Sequence, residues 1–142
     1  MVRACKIPVF PFFGKSRKFK VNGDKPVGRT GEDVAVAYLV DIGYTIIVRN
    51  YRRRFGEIDI VADDHGVLVF VEVKTRRSRL FGSPFEAVDF RKQKKMSKMA
   101  LDYISRHNRD NCPARFDVVA VMLHDNSLPR IELIQNAFEV SS

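Results

Sequence analysis

Two carboxylates set in apolar strand sequence constrain this chain more than any other feature. Gly56-Glu57-Ile58-Asp59-Ile60-Val61-Ala62 is followed by the run 67–73, aliphatic or aromatic except at Glu72, and then by Lys74. An unpaired charge in an apolar setting costs several kcal/mol or neutralises itself. Such acids therefore need a partner. Asp64-His65-Gly66 is a turn signal between the two β-rich runs and predicts a hairpin. With His65 and Gly66 as its central residues, the register sets Val61 opposite Phe70, Asp59 opposite Glu72 and Glu57 opposite Lys74. Opposed residues project to one side of a sheet with Cβ atoms about 4.5–5.5 Å apart. Period-2 alternation also places Glu72 and Lys74 on one face. Asp59, Glu72 and Lys74 are thus expected to converge, and the two carboxylates repel unless a cation lies between them. Oxygen ligands with room for water suit Mg²⁺ or Mn²⁺. The competing reading is a surface hairpin whose charges point to solvent. A loop one residue longer would break the Asp59–Glu72 pairing.

The 142 residues suffice for one domain with a real core, and a composition 45% hydrophobic and 30% charged is ordinary for a soluble protein. No apolar run approaches the ~20 residues that span a bilayer, so no membrane partner is expected. Cys5 and Cys112 are too few for a disulfide framework and lack zinc-type spacing, which predicts a reduced, cytoplasmic setting. Charge is unevenly spread. Residues 1–29 hold eight Lys or Arg against one acid, so they carry +7 of the net +8. Prolines and glycines break any helix or strand period there. Residues 1–25 read as a flexible basic arm and 26–142 as a single domain. The arm is a poor match to a secretory signal, and a transit peptide is its alternative reading.

Three basic clusters adjoin the hairpin in sequence. Arg52, Arg53 and Arg54 precede it; Arg76, Arg77 and Arg79 follow it; Arg91, Lys92, Lys94, Lys95 and Lys98 open the next helix. Alone, each reads as a solvated face. Together, around an acidic centre, they suit a phosphodiester backbone. A helix is predicted from Gly31 to Ile42, with Ala35, Tyr38, Leu39 and Ile42 as its apolar stripe and Gly43 as its stop. Glu32 lies near that stripe and can look toward the sheet, or serve only as a favourable acid at a helix start. Tyr44–Tyr51 is a strand. After a loop at 81–84, Ser83-Pro84-Phe85-Glu86 has capping-box form and Asp89 is a second cap. The helix that follows runs to about His107, with Met96, Met99, Ala100 and Tyr103 on one face. Lys92 falls one turn before Met96 on that face, where it either reaches over the sheet edge or snorkels over apolar surface. Arg115–Leu123 and Arg130–Gln135 complete a mixed α/β order of α-β-β-β-α-β-(β).

That order resembles the core of the restriction-endonuclease-like PD-(D/E)xK superfamily, a mixed central sheet flanked by helices. Gly28-Arg29-Thr30-Gly31-Glu32, Arg49-Asn50-Tyr51-Arg52, Gly56-Glu57-Ile58-Asp59, Phe70-Val71-Glu72-Val73-Lys74-Thr75-Arg76 and Arg115-Phe116-Asp117-Val118-Val119 resemble the small YraN-like family of predicted endonucleases. In plan the chain is also similar to archaeal Holliday junction resolvases. The resemblance covers roughly Gly28 to Phe138. It implies that Asp59 and Glu72 bind metal, that Lys74 positions the attacking water, that Glu32 completes the site, and that Lys92 is a basic residue of the second core helix. Ile58 departs from the superfamily pattern, which has proline there. The implied activity is Mg²⁺- or Mn²⁺-dependent hydrolysis of DNA, structure-selective, with Arg52, Arg53, Arg54, Arg76, Arg77, Lys92 and Lys95 holding the backbone. A resolvase-like role would require a homodimer. The alternatives are a non-catalytic nucleic-acid-binding module that kept the fold, and a protein-interaction domain whose arm binds an acidic partner.

Overall fold

The computed structural model describes residues 27–77, 88–123 and 128–140. The basic arm, the 81–84 loop with the proposed capping box, and Arg79 lie outside the described residues. The elements are α1 (Val27–Asp41), β1 (Thr45–Arg53), β2 (Gly56–Asp64), β3 (Val67–Arg76), α2 (Phe90–Arg106), β4 (Ala114–Met122) and β5 (Arg130–Phe138). The strands form one five-stranded sheet in the order β1-β2-β3-β4-β5. All neighbours are antiparallel except β3 and β4, whose parallel pairing needs a crossover, and α2 lies within it.

Alternation in the strands gives the sheet two apolar faces. Ile60, Ala62, Val69, Val71, Val119 and Val121 pack with Val34, Ala35 and Leu39 of α1. Leu68, Phe70, Phe116 and Val118 pack with Met96, Met99, Ala100 and Tyr103 of α2. Each of these large side chains stabilises the fold by about 1.5–3 kcal/mol when fully buried. The core face of α2 is the one its spacing predicts, and Asp89 caps it by accepting from Lys92 N at 2.9 Å. On α1 the predicted stripe holds at Ala35 and Leu39 but fails at Ile42, which is 41% exposed. The helix ends at Asp41 and Gly43 takes φ +105°, so Ile42 no longer follows the helical period.

The hairpin register is the predicted one. Val61 pairs with Phe70, and the turn centres on His65 and Gly66, with φ of +50° and +93°. Positive φ at both central residues matches the twist of the strands, and Gly66 accommodates it without a Cβ. The ladder between β2 and β3 stops at Ile60–Val71, however. Glu57 is therefore not paired with Lys74; it pairs with Arg52 on β1 instead. The ladder between β1 and β2 is also interrupted, between Arg49–Ile60 and Tyr51–Ile58, where Asn50 takes φ +52°. Ile58 packs on the α2 side and Ile60 on the α1 side, so alternation breaks at Asp59.

At the other end of the sheet a polar network pins the chain. Asp117 is fully buried and accepts from Tyr44 Oη (2.8 Å), Arg115 Nε (2.9 Å) and Asn136 N (3.0 Å). Arg115 also reaches Asp64 at 2.6 Å. Every oxygen of this buried carboxylate is satisfied, and charged hydrogen bonds hold Arg115 strongly protonated.

Candidate metal centre

The break at Asp59 builds the site. Freed from both ladders, Asp59 turns its carboxylate back on the sheet, and Oδ2 accepts from Val73 N at 2.8 Å. This side-chain bond occupies the ladder position that β2 vacates. Asp59 thereby sits against Glu72, which is buried (5% exposed) on β3. Burial first, and the neighbouring Glu72 charge second, push the Asp59 carboxyl up to about 7. The convergence of Asp59 and Glu72 expected from the register is present.

Helix α1 delivers Glu32 to the same place. Gly31 presses on β3: a Cβ there would lie 1.9 Å from Thr75 Oγ1. Only glycine lets the first turns of α1 approach so closely. Oxygens of Glu32, Glu57 and Asp59 all lie within 4.8 Å of one another. With its amide nitrogen turned to the acids, Asn50 donates to Glu57 Oε1 (2.9 Å) and Glu32 Oε2 (3.2 Å). Burial, then the Asp59 charge, raises the Glu32 carboxyl above its usual range. Three like charges this close repel, and Asn50 tempers that repulsion for only two of them.

Two lysines belong to this end of the sheet. Lys92, at the first turn of α2, reaches over the edge and its Nζ forms an ion pair with Glu72 Oε1. Desolvation lowers the Lys92 amine, but the contact with Glu72 and the charges of Glu72, Asp59 and Asp89 outweigh it, and the net shift is upward. Lys74 is half-buried on β3, two residues along from Glu72 and paired in register with Ala120 of β4. Lys92 thus supplies a cation in direct contact with Glu72.

The basic clusters differ in availability. Arg53 is bound to Asp102 of α2 at 3.1 Å, and Arg52 to Glu57 at 3.3 Å. Arg54, Arg76, Arg77 and Lys95 are exposed. All lie at the end where β3 terminates and β2 begins, as the acids do. In open α/β sheets, ligands are bound outside the carboxyl ends of the parallel strands, which is this end.

Sequence reasoning passed over Glu57 and Asn50. A signal existed for Glu57: it stands two residues before Asp59, on the same side of an ideal strand. Asn50 carried no such mark, because its placement depends on a left-handed backbone in mid-strand.

The donor set fits a hard divalent cation. It offers carboxylate oxygens within reach of one another, partly solvated, with no sulfur or imidazole among them. A cation would also relieve the repulsion that raises Asp59 and Glu32.

A model of the uncharacterised protein family UPF0102 matches residues 31–121. The chain belongs to this family. A UPF0102 protein of Trichlorobacter lovleyi is 53% identical over 120 residues, covering 84% of this chain and 94% of that protein. Others from Syntrophus aciditrophicus and Symbiobacterium thermophilum are 49% and 51% identical, over 87% and 79% of the chain and 96% and 95% of their own lengths. The family part of the resemblance drawn from the motifs is thereby borne out. The matched span begins one residue before Glu32 and includes every member of the acid cluster. Among the described residues no helix is long and apolar enough to cross a membrane.

Proposed function

We propose that this protein is a metal-dependent nuclease that hydrolyses phosphodiester bonds in DNA, selecting structure rather than sequence. One observation carries the reading: Glu32, Glu57, Asp59 and Glu72 gather from three elements at one sheet end, beside Lys92 and within a basic rim. A protein that only bound a polyanion would gain nothing from four carboxyls at the centre of its basic surface. The element order and the D-then-ExK spacing of Asp59, Glu72 and Lys74 agree with the PD-(D/E)xK plan.

Asp59, Glu57 and Glu32 would hold Mg²⁺ or Mn²⁺, with Glu72 adjoining Asp59. When bound, the ion supplies Lewis-acid polarisation of a phosphate oxygen and a water of lowered pKa. Lys74 holds the attacking water, and Lys92 contacts the phosphate. Arg54, Arg76, Arg77 and Lys95 grip the backbone without reading bases. Cutting both strands of a branched junction would require two copies of the chain.

The test is incubation of the full chain with branched, nicked, single-stranded and duplex DNA, and with RNA, in Mg²⁺, Mn²⁺ or EDTA. Cleavage of a DNA substrate that needs the divalent ion and disappears in Glu72→Gln is the expected result. Salt-sensitive binding without cleavage under any of these conditions would favour a non-catalytic binding module instead.

A further inference from the structure

The outward face of α2 has features that the metal centre does not use. Arg91, Lys94, Lys95 and Lys98 are exposed, and among the described residues none of them forms a salt bridge. At 3.6 residues per turn they fall within about 100° of one another, opposite the core stripe. Phe90 borders this basic stripe at the start of the helix and is 63% exposed, more than any other phenylalanine or tyrosine among the described residues. Its ring does not stand alone: Lys94 Nζ lies 4.8 Å from its centroid. One turn after Lys94, about 6 Å further along the axis, Lys98 Nζ lies 4.9 Å from the half-buried Phe55 ring. Lys92, which touches Glu72 at the acid cluster, belongs to the same first turn but projects about 160° around the helix from Phe90.

An exposed aromatic face beside unpaired cations is the surface that single-stranded nucleic acid recognises. The cations track the phosphates and the ring stacks on a base, which is possible only where bases are unpaired. A duplex would satisfy the lysines but could not use Phe90. Resting on the nuclease reading above, we infer that Phe90 and Lys94 form a base-stacking subsite on the outer face of α2, which holds an unpaired nucleotide of the strand across the helix from the metal centre. The substrate class is then DNA with a single-stranded segment, as in a flap, gap or branch, rather than continuous duplex.

Binding in EDTA separates this inference from cleavage. Full-length protein is titrated against a labelled single strand and a duplex of equal length, and anisotropy is read. Loss of one stacked base is expected to weaken single-strand binding of Phe90→Ala by about 5- to 150-fold. Phe90→Tyr should restore it, and duplex binding should stay unchanged in both variants. Lys94→Gln should flatten the salt dependence by about 0.7 for a single strand. Three results would overturn the subsite: no binding of the single strand by the wild type, equal single-strand affinity for Phe90→Ala and wild type, or equal losses on single strand and duplex. None of them bears on whether the wild type cuts DNA in Mn²⁺, which tests the nuclease reading by itself.

Discussion

Replacing Asp59 with asparagine should stabilise the metal-free protein while destroying its cation site. In the folded chain the Asp59 carboxyl is pushed from 3.8 to about 7 by burial and by Glu72. The folded state therefore keeps its proton to higher pH than the unfolded chain. The stability linked to that proton is complete below the unfolded value and is lost as pH rises toward 7. At about 1.4 kcal/mol per unit, the ionised group costs at most about 4 kcal/mol near pH 8, and about 1.4 kcal/mol of this appears between pH 6 and pH 8. The asparagine amide would carry no charge, and its side-chain oxygen still accepts the Val73 N–H. Even half the full cost, about 2 kcal/mol, would raise Tm by roughly 5–15 °C in a domain of this size. The assay is thermal unfolding of both proteins in EDTA near pH 6 and near pH 8, then with Mn²⁺. The variant should melt above the wild type near pH 8, the gap should narrow near pH 6, and only the wild type should gain from Mn²⁺. A variant that melts at or below the wild type near pH 8 would refute the claim that Asp59 is held in a repulsive setting.

Other expectations follow from the same geometry. Glu72→Gln should nearly abolish cleavage with the fold intact, whereas Lys74→Ala should spare Mn²⁺ binding and slow cleavage, as read by calorimetry beside a cleavage assay. Gly31→Ala, whose new Cβ meets Thr75, should cost about 1–3 kcal/mol by denaturant unfolding and weaken Mn²⁺ binding by displacing Glu32. Asp117→Ala leaves Arg115 short of its main buried partner and should cost about 3–5 kcal/mol, with Mn²⁺ affinity unchanged under conditions where it remains folded. A chain starting near Pro26 lacks most of the +7 of the first 29 residues and should bind duplex DNA with a shallower salt dependence, by about 0.9 for each phosphate the arm would have neutralised. Equal slopes would show that the arm does not touch DNA.

The parts legible in the sequence are those that simple periodicity controls. The Asp64-His65-Gly66 turn sets the hairpin register, because two positive-φ positions admit one compact loop. The spacing of Met96, Met99, Ala100 and Tyr103 sets the core face of α2, and with it the aim of Lys92 toward the sheet. Sequence alone fails where the backbone leaves its regular form. β5 reads as ending at Gln135, yet it continues to Phe138 past a register shift. Asn136 there takes φ +50°, and its N–H turns to Asp117. A side-chain bond distant in sequence thus replaces a ladder bond. The same holds at Asp59, where a strict alternation yields the right neighbour, Glu72, and the wrong one, Lys74, for Glu57. Glu57 and Asn50 join the acids because β2 separates from β3 at that point, and no local pattern reports the separation. Family membership was legible because five short motifs stand in order along the chain; the activity does not follow from membership alone.

The most direct test of the metal centre is a Mn²⁺ titration of the full chain, with free Mn²⁺ read by electron paramagnetic resonance, for the wild type, Asp59→Asn and Glu57→Gln. The geometry predicts saturable binding by the wild type, none by Asp59→Asn and weaker binding by Glu57→Gln. Absence of Mn²⁺ binding by the wild type, or equal binding by Asp59→Asn, would contradict it.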